Sequence, residues 1–307
     1  MAFNVSSISK YTDEVSQELI KKTILSGDTV DVVSVQPGVK YKQTINILDN
    51  TISLQAAACG WNSAGSVAFK QREIEVVSLE IKESLCQKTL ESYFLGMAMK
   101  AGTPTENELG PILAESYVEK VKEQVELNIW QGDLSTSPDT YNINGLVKLL
   151  SGESTRVTAV YGSPDVIHGP FTAANIVGVV NTMVTDIPED AFAYDDLTLF
   201  MSYANYMMYT AALRTANLFH YDGDSAMGAF VTYIPGTTIK VKATRGLTGK
   251  ADMILTPASN IVVGTDLMDE EEKFNIWYSQ DNDEVRVHIA FKLGVQVRFP
   301  EMCVCNF

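Results

Sequence analysis

A chain of 307 residues with 46% apolar and 20% charged side chains can hold one large domain or two ordinary ones, and it is too hydrophobic for general disorder. Its 23 Lys and Arg stand against 38 Asp and Glu, a net charge of −15, which argues against sequence-specific DNA or RNA binding across the surface. No apolar run approaches the roughly 18–20 residues that span a bilayer, so no membrane segment is expected. The opening MAFNVSSISKYTDEVS lacks the basic patch and apolar core of a secretory signal.

The first element reads as an arm. Over residues 12–25, TDEVSQELIKKTIL, the side chains Val15, Leu19 and Ile20 form one helical stripe, with Thr12 as N-cap and Gly27 beyond the end. Such a helix has no core of its own and must dock on this subunit or on a neighbour. An extended stretch follows. Tyr41, Ile45, Ile47, Ile52 and Leu54 alternate with polar residues, AAACGWNSAGS (56–66) makes a small-residue bend, and the chain returns through Ile74, Val76, Leu79 and Ile81. The spacing predicts a long two-stranded β-excursion with Gly60, Trp61 and Gly65 at its tip. A lone ribbon is marginal in water, so it needs a partner surface.

The strongest helix lies within 105–131. Thr105 and Glu108 make a capping-box pattern, Pro111 suits the first helical position, and Ile112, Leu113, Tyr117, Val118, Val121, Val125, Ile129 and Trp130 keep an apolar stripe that Gly132 ends. The opposite face, with Glu115, Glu119, Lys122, Glu123 and Glu126, is expected in solvent. The middle of the chain predicts a helix over 172–185 capped by Thr172, a buried strand LTLFMS (197–202), and a further helix capped by Ser202. Tyr203, Tyr206 and Tyr209 on that helix read as packing. At the C-terminal side, every odd position from Val285 to Phe299 is apolar, and the even positions carry Arg286, His288, Lys292, Gln296 and Arg298. That predicts one strand of about 15 residues, ~50 Å long, preceded by a strand at 274–279.

Motifs for chemistry are missing. Gly246–Lys250 has Thr244 in place of a phosphate loop's first glycine and Ala251 in place of its Ser/Thr. The stretch Gly60–Gly65 has one residue too many for a nucleophile elbow. Asp222-Gly223-Asp224 and Asp269–Glu272 lack calcium-loop spacing; the latter reads as a solvated turn. Nothing marks a Ser-His-Asp set. Cys59, Cys86, Cys303 and Cys305 make no disulfide framework, and the last two read as plain thiols pointing one way from an extended segment. His168, His220 and His288 are scattered, with His288 expected on a strand surface. No catalytic, cofactor-binding or metal-binding residue is expected, so no enzyme is expected.

The order of elements nevertheless resembles a known family. An arm, the long excursion AAACGWNSAG…FKQREIEVVSLEIKESL, the helix LAESYVEKVKEQVELNIWQGD, a helix–strand–helix centre and the closing strands FNIWYSQDNDEVRVHIAFKLGVQVRFPEM together resemble the major capsid protein of tailed bacteriophages with the Hong Kong 97-type fold. The resemblance rests on architecture and covers nearly the whole chain. It implies an α+β fold with an N-arm (1–40), an extended β-hairpin called the E-loop (41–83), a peripheral domain (84–149) with a spine helix over 106–131, an axial domain (150–271), and peripheral strands over 272–307. It implies intersubunit contact by the E-loop tip at Cys59, Gly60, Trp61, Asn62 and Lys70, and arm docking by Val15, Leu19 and Ile20.

As function, it implies self-assembly into hexamers and pentamers of an icosahedral shell around double-stranded DNA without sequence-specific binding. The protein would assemble in the host cytoplasm and reside in the virion, with a portal as partner. The short arm leaves no room for a fused scaffolding extension, so a separate scaffolding protein is expected. No residue trio for a Lys–Asn cross-link is evident. Three other readings stay open: an encapsulin-like cargo shell, a hydrolase or binding protein using residues 150–271, and a tail or head-completion protein.

Overall fold

In the computed structural model of the chain, the described residues are 27–57, 59–60, 64–86, 109–135, 142–161, 171–216, 230–266, 273–279, 281–282 and 284–307. The expected arm helix, the Thr105–Glu108 box, His168, His220 and the acidic stretches 222–224 and 269–272 lie outside them. Four strands come first among the described residues: β1 (Ser34–Pro37), β2 (Lys42–Thr51), β3 (Ser66–Glu75) and β4 (Val77–Cys86). Helix α1 (Leu109–Gln131) follows, then α2 (Leu146–Ser151), β5 (Val157–Thr158), α3 (Ile176–Thr185), β6 (Leu197–Ser202) and α4 (Tyr203–Thr215). The remaining strands are β7 (Val231–Tyr233), β8 (Lys240–Thr244), β9 (Ile254–Pro257), β10 (Ile261–Thr265), β11 (Lys273–Ser279), β12 (Glu284–Val297) and β13 (Val304–Cys305).

The period-two pattern of the C-terminal side forms β12, a 14-residue strand whose odd side chains from Val285 to Val297 are all buried. It is the axis of the first sheet. β4 runs antiparallel along one side, from Cys86 opposite Glu284 to Val77 opposite Leu293. β11 covers Glu284–Ala290 on the other side, and β10 takes over at Gly294–Val297, with β1 parallel beyond it. The same core takes Val118, Val121, Val125 and Ile129 of α1, the i, i+3, i+4 spacing of one helical stripe. The even face of β12 is not uniformly polar surface. His288 is half-buried, and Lys292 is buried and paired with Asp266 at 3.0 Å.

The second sheet runs β5-β13-β9-β6-β8-β7. Ser202 caps α4 as expected, accepting a hydrogen bond from the Asn205 amide. The expected Thr172 cap is not used: α3 begins at Ile176, and Asn175 Oδ1 instead accepts from the Thr172 amide, closing a turn ahead of the helix. The two faces of this sheet belong to different cores. Phe200, Ile254, Cys303 and Cys305 point to the core of α1, where Phe200 meets Trp130 at 5.1 Å between ring centroids. Leu199, Met201, Leu255 and Val304 point to the core of α3 and α4. Both C-terminal thiols are thus interior groups on one face, and burial pushes that of Cys303 up to about 12.

Two sequence expectations are corrected by the packing. The return half of the excursion is two strands. Only β3 pairs with β2, from Lys42 opposite Glu75 to Thr51 opposite Ser66, whereas β4 pairs with β12. And Glu126 is not on a solvated face: it is only 3% exposed. The last two turns of α1 are enclosed nearly all round, and residues 27–33 form the cover, with Val30 and Val33 in the core beside the helix. Gly132 then stops α1, in a place where a Cβ would strike the backbone carbonyls of Ile143 and Asn128.

Candidate assembly surface

The β2–β3 ribbon leaves the body at a well-anchored root. Ile74 is fully buried there with Val39, Val76 and Val262, and Ile45 packs against them. The Val76 amide donates to Tyr41 O at 2.8 Å, and Gln296 Nε2 donates to Glu73 O at 2.8 Å. Arg72 pairs with Glu153, beyond α2, at 2.7 Å. Gly294 permits the crossing, since a Cβ there would collide with Glu75 O. Farther out, large apolar side chains of the ribbon lie open to solvent. Leu48, Val67 and Phe69 are exposed, and so are Ile52 and Leu54 beyond the paired segment. Soluble chains do not often present several large apolar side chains on one limb, and such a patch marks an interaction site.

The segment 27–33 is the second feature. The Thr29 amide donates to Glu126 Oε1 at 2.8 Å, and the Thr29 hydroxyl donates to Oε2 at 2.5 Å. The hydroxyl oxygen in turn accepts from Trp130 Nε1 at 2.7 Å. One residue earlier, Asp28 accepts from the Tyr203 hydroxyl at 2.9 Å. Consecutive residues Asp28 and Thr29 therefore tie α4 and α1 to one segment. Burial raises the Glu126 carboxyl above its ordinary range, opposed by the two bonds from Thr29. Burial lowers Lys242 nearby, opposed by Asp28, Asp31 and Glu126. Burial, then the bond to Asp28, raises the Tyr203 phenol to about 12.

Of the site residues expected from sequence, Cys59 and Gly60 are exposed between β2 and β3, with Gly60 at φ 108°, where side chains are disfavoured. Lys70 is exposed on β3 opposite Ile47. Trp61, Asn62, Val15, Leu19 and Ile20 lie outside the described residues. Sequence reasoning did not single out Leu48, Val67 or Phe69, nor the Thr29–Glu126 pair. The doubled apolar step Ile47-Leu48, which breaks the alternation of β2, was the available signal for the first set. Among the described residues no three His, Cys, Asp or Glu side chains converge as a metal site would require, and no helix is long and apolar enough to cross a membrane.

No protein-family model and no curated protein sequence matches this chain. Solved structures do match. A chain of the satellite phage P4 procapsid, in a structure that includes the size determination (Sid) protein, aligns with a TM-score of 0.61 at 14% identity, covering 94% of this chain and 89% of that one. The capsid of an empty GTA particle gives 0.60 at 12% identity, covering 91% and 88%. The chain has the Hong Kong 97-type capsid fold. The same capsid fold links it to a virus-like particle from Pyrococcus furiosus, with a TM-score of 0.53 at 12% identity, covering 96% of this chain and 99% of the other. At these identities the likeness carries the path of the capsid chain and no residue roles.

Proposed function

We propose that the chain is a major capsid protein, a structural and non-catalytic subunit that builds hexamers and pentamers of an icosahedral shell around double-stranded phage DNA. The observation that carries this reading is the fold shared with phage capsid chains over about nine-tenths of each partner. The apolar limb projecting from the body supports it independently. On this reading residues 1–40 are the N-arm and 41–83 the E-loop, which contacts a neighbour through Cys59, Gly60, Trp61, Asn62 and Lys70. The peripheral domain spans 84–149 with its spine helix over 106–131, the axial domain spans 150–271, and 272–307 completes the peripheral part. Val15, Leu19 and Ile20 dock the arm.

The physics favours such a part. A limb without its own core gains burial only against another molecule, and a head-to-tail contact that closes under rotation yields rings of five or six. The net charge of −15 keeps packaged DNA from adhering to the wall, because like charges repel across the solvent gap. A scaffolding protein and a portal complete the assembly in the host cytoplasm, and the product is the virion shell. A second reading, an encapsulin-like shell around protein cargo, is compatible with the nearly end-to-end likeness to the virus-like particle.

The test is expression of the full chain, alone and with its neighbouring gene products, followed by negative-stain microscopy and nuclease treatment. Shells or five- and six-fold rings are expected, with nuclease-protected double-stranded DNA in complete particles. Shells that hold only protein would transfer the reading to the cargo container. A small oligomer with no capsomers under any condition would overturn both.

A further inference from the structure

A strained residue and the segment 27–33 meet on one tyrosine. Phe230, directly ahead of β7, has φ 63°, and among the described residues no other side-chain-bearing residue has a positive φ. Such a backbone is rare for a bulky residue, because its Cβ crowds a carbonyl, and it persists only where the surroundings hold it. Two kinds of contact do so here. The Phe230 carbonyl accepts from the Ala243 amide at 3.2 Å, which carries the pairing of β7 with β8 one residue past Val231. The ring turns onto α4, edge-on to Tyr203 at 4.9 Å between centroids and 6.1 Å from Tyr206. It is still 40% exposed, so burial holds it only in part and the tyrosines are its seat.

Tyr203 opens α4, directly after the cap Ser202, and is half-buried. While its ring meets the Phe230 ring, its hydroxyl donates to Asp28 Oδ2 at 2.9 Å. The next residue, Thr29, ties the same segment to α1 through Glu126. We infer that Phe230, Tyr203 and Asp28 form a strained clasp that couples the segment 27–33 to the start of β7. Departure of the Phe230 ring lets its backbone return to negative φ, unseats the Tyr203 ring and loosens the segment. Release of the segment loosens Phe230 by the same free energy, since coupling between two sites is reciprocal. Residues 1–26 run into the clasp at one end and residues 217–229 at the other, so a displacement of either stretch is felt by the other. This goes beyond the shell reading and does not depend on it.

Hydrogen exchange of the full chain, read by mass spectrometry of its peptides, follows both ends of the clasp. At one end the Thr29 amide is bonded to Glu126, and the amides of Asp31, Val32 and Val33 to carbonyls of Gly27 and Thr29; at the other the Ala243 amide is bonded to Phe230. Phe230→Ala is expected to speed exchange over 27–33 about five-fold or more, the low end of measured couplings, whereas Phe230→Tyr, which keeps the ring, exchanges like the wild type. Asp28→Ala is expected to speed the Ala243 amide by a comparable factor. Tyr203→Phe removes the hydroxyl and keeps the ring, so adding Phe230→Ala to it should give no further acceleration over 27–33. The Leu149 amide of α2, bonded to Gly145, is the reference and should exchange alike in every variant, with circular dichroism checking that each is folded. Wild-type exchange over 27–33 in Phe230→Ala, full acceleration by it in the Tyr203→Phe background, or an equal acceleration at Leu149 would overturn the clasp. So would a Phe230→Tyr variant as fast as Phe230→Ala, or an Ala243 amide untouched by Asp28→Ala. That last arm decides the matter alone if Phe230→Ala does not fold.

Discussion

Thr29 gives both its amide and its hydroxyl to the carboxylate of Glu126, at 2.8 and 2.5 Å across 97 positions of sequence. The segment 27–33 is therefore held by a carboxylate that water barely reaches, and this pair has measurable consequences.

A carboxyl whose folded pKa is raised, chiefly by burial, contributes stability that is complete below its ordinary value of 4.5 and is lost as pH rises through the folded value. Asp28 beside it adds to the rise and Lys242 opposes it. Urea unfolding of the wild type and Glu126→Gln at pH 5 and pH 8 should show the wild type's advantage over the variant shrinking as pH rises. An advantage that grows between those values would contradict the raised carboxyl.

Removing the Thr29 hydroxyl strands two buried groups, Glu126 Oε2 and Trp130 Nε1. Thr29→Ala should cost about 2–3 kcal/mol, and Thr29→Ser should recover most of it, as read by denaturant unfolding followed through tryptophan fluorescence. Equal losses in both variants would point to the methyl group instead of the hydroxyl.

Arg72 and Glu153 are each partly exposed, at 23% and 33%, so their ion pair adds little to global stability, within about 1 kcal/mol. Arg72→Ala should leave the melting temperature nearly unchanged yet speed hydrogen exchange at the β3 amides near the root, because the pair ties the ribbon to the segment after α2. Exchange that matches the wild type would mean that Ile74 and its neighbours, with the Gln296–Glu73 bond, hold the root without the pair.

Gly294→Ala drives a methyl into Glu75 O and toward Val76 Cα. Backbone cannot rotate aside as a side chain does, so a loss of about 1–3 kcal/mol is expected, measured by thermal unfolding. A neutral result would mean that the crossing of β12 and the ribbon yields at little cost.

Thiol reactivity should split the four cysteines evenly. Cys59 and Cys86 are exposed, whereas Cys303 and Cys305 are buried, and burial pushes the Cys303 thiol up to about 12. Iodoacetamide at pH 8 should label the first two in the native chain and the second two only in denaturant, as mass spectrometry of peptides would read. Native labelling of Cys303 would contradict the packing.

The parts of the fold that were legible in the sequence are those whose burial follows a single local period. β12 shows it through its unbroken odd residues, the outward half of α1 through Val118, Val121 and Val125, and β6 with its Ser202 cap through a short apolar run ahead of a capping residue. What was missed depends on partners distant in sequence. Glu126 looks like any surface acid on a helical wheel until residues 27–33 cover it. The break between β3 and β4 was written as a change of phase, since Ile74 and Val76 occupy even positions and Val77, Leu79 and Ile81 odd ones. Two adjacent valines carried that information, and an alternation read without its parity passes over them.

The wall formed by β6, β9 and β13, with Phe200, Ile254 and Cys305 on one side and Leu199, Leu255 and Val304 on the other, ties the two interiors into one thermodynamic unit. Neither can melt while the other stays dry, because the same three strands line both. In a scanning calorimeter an isolated subunit should absorb its heat in a single cooperative peak, and mechanical load entering through one half must be borne by the whole.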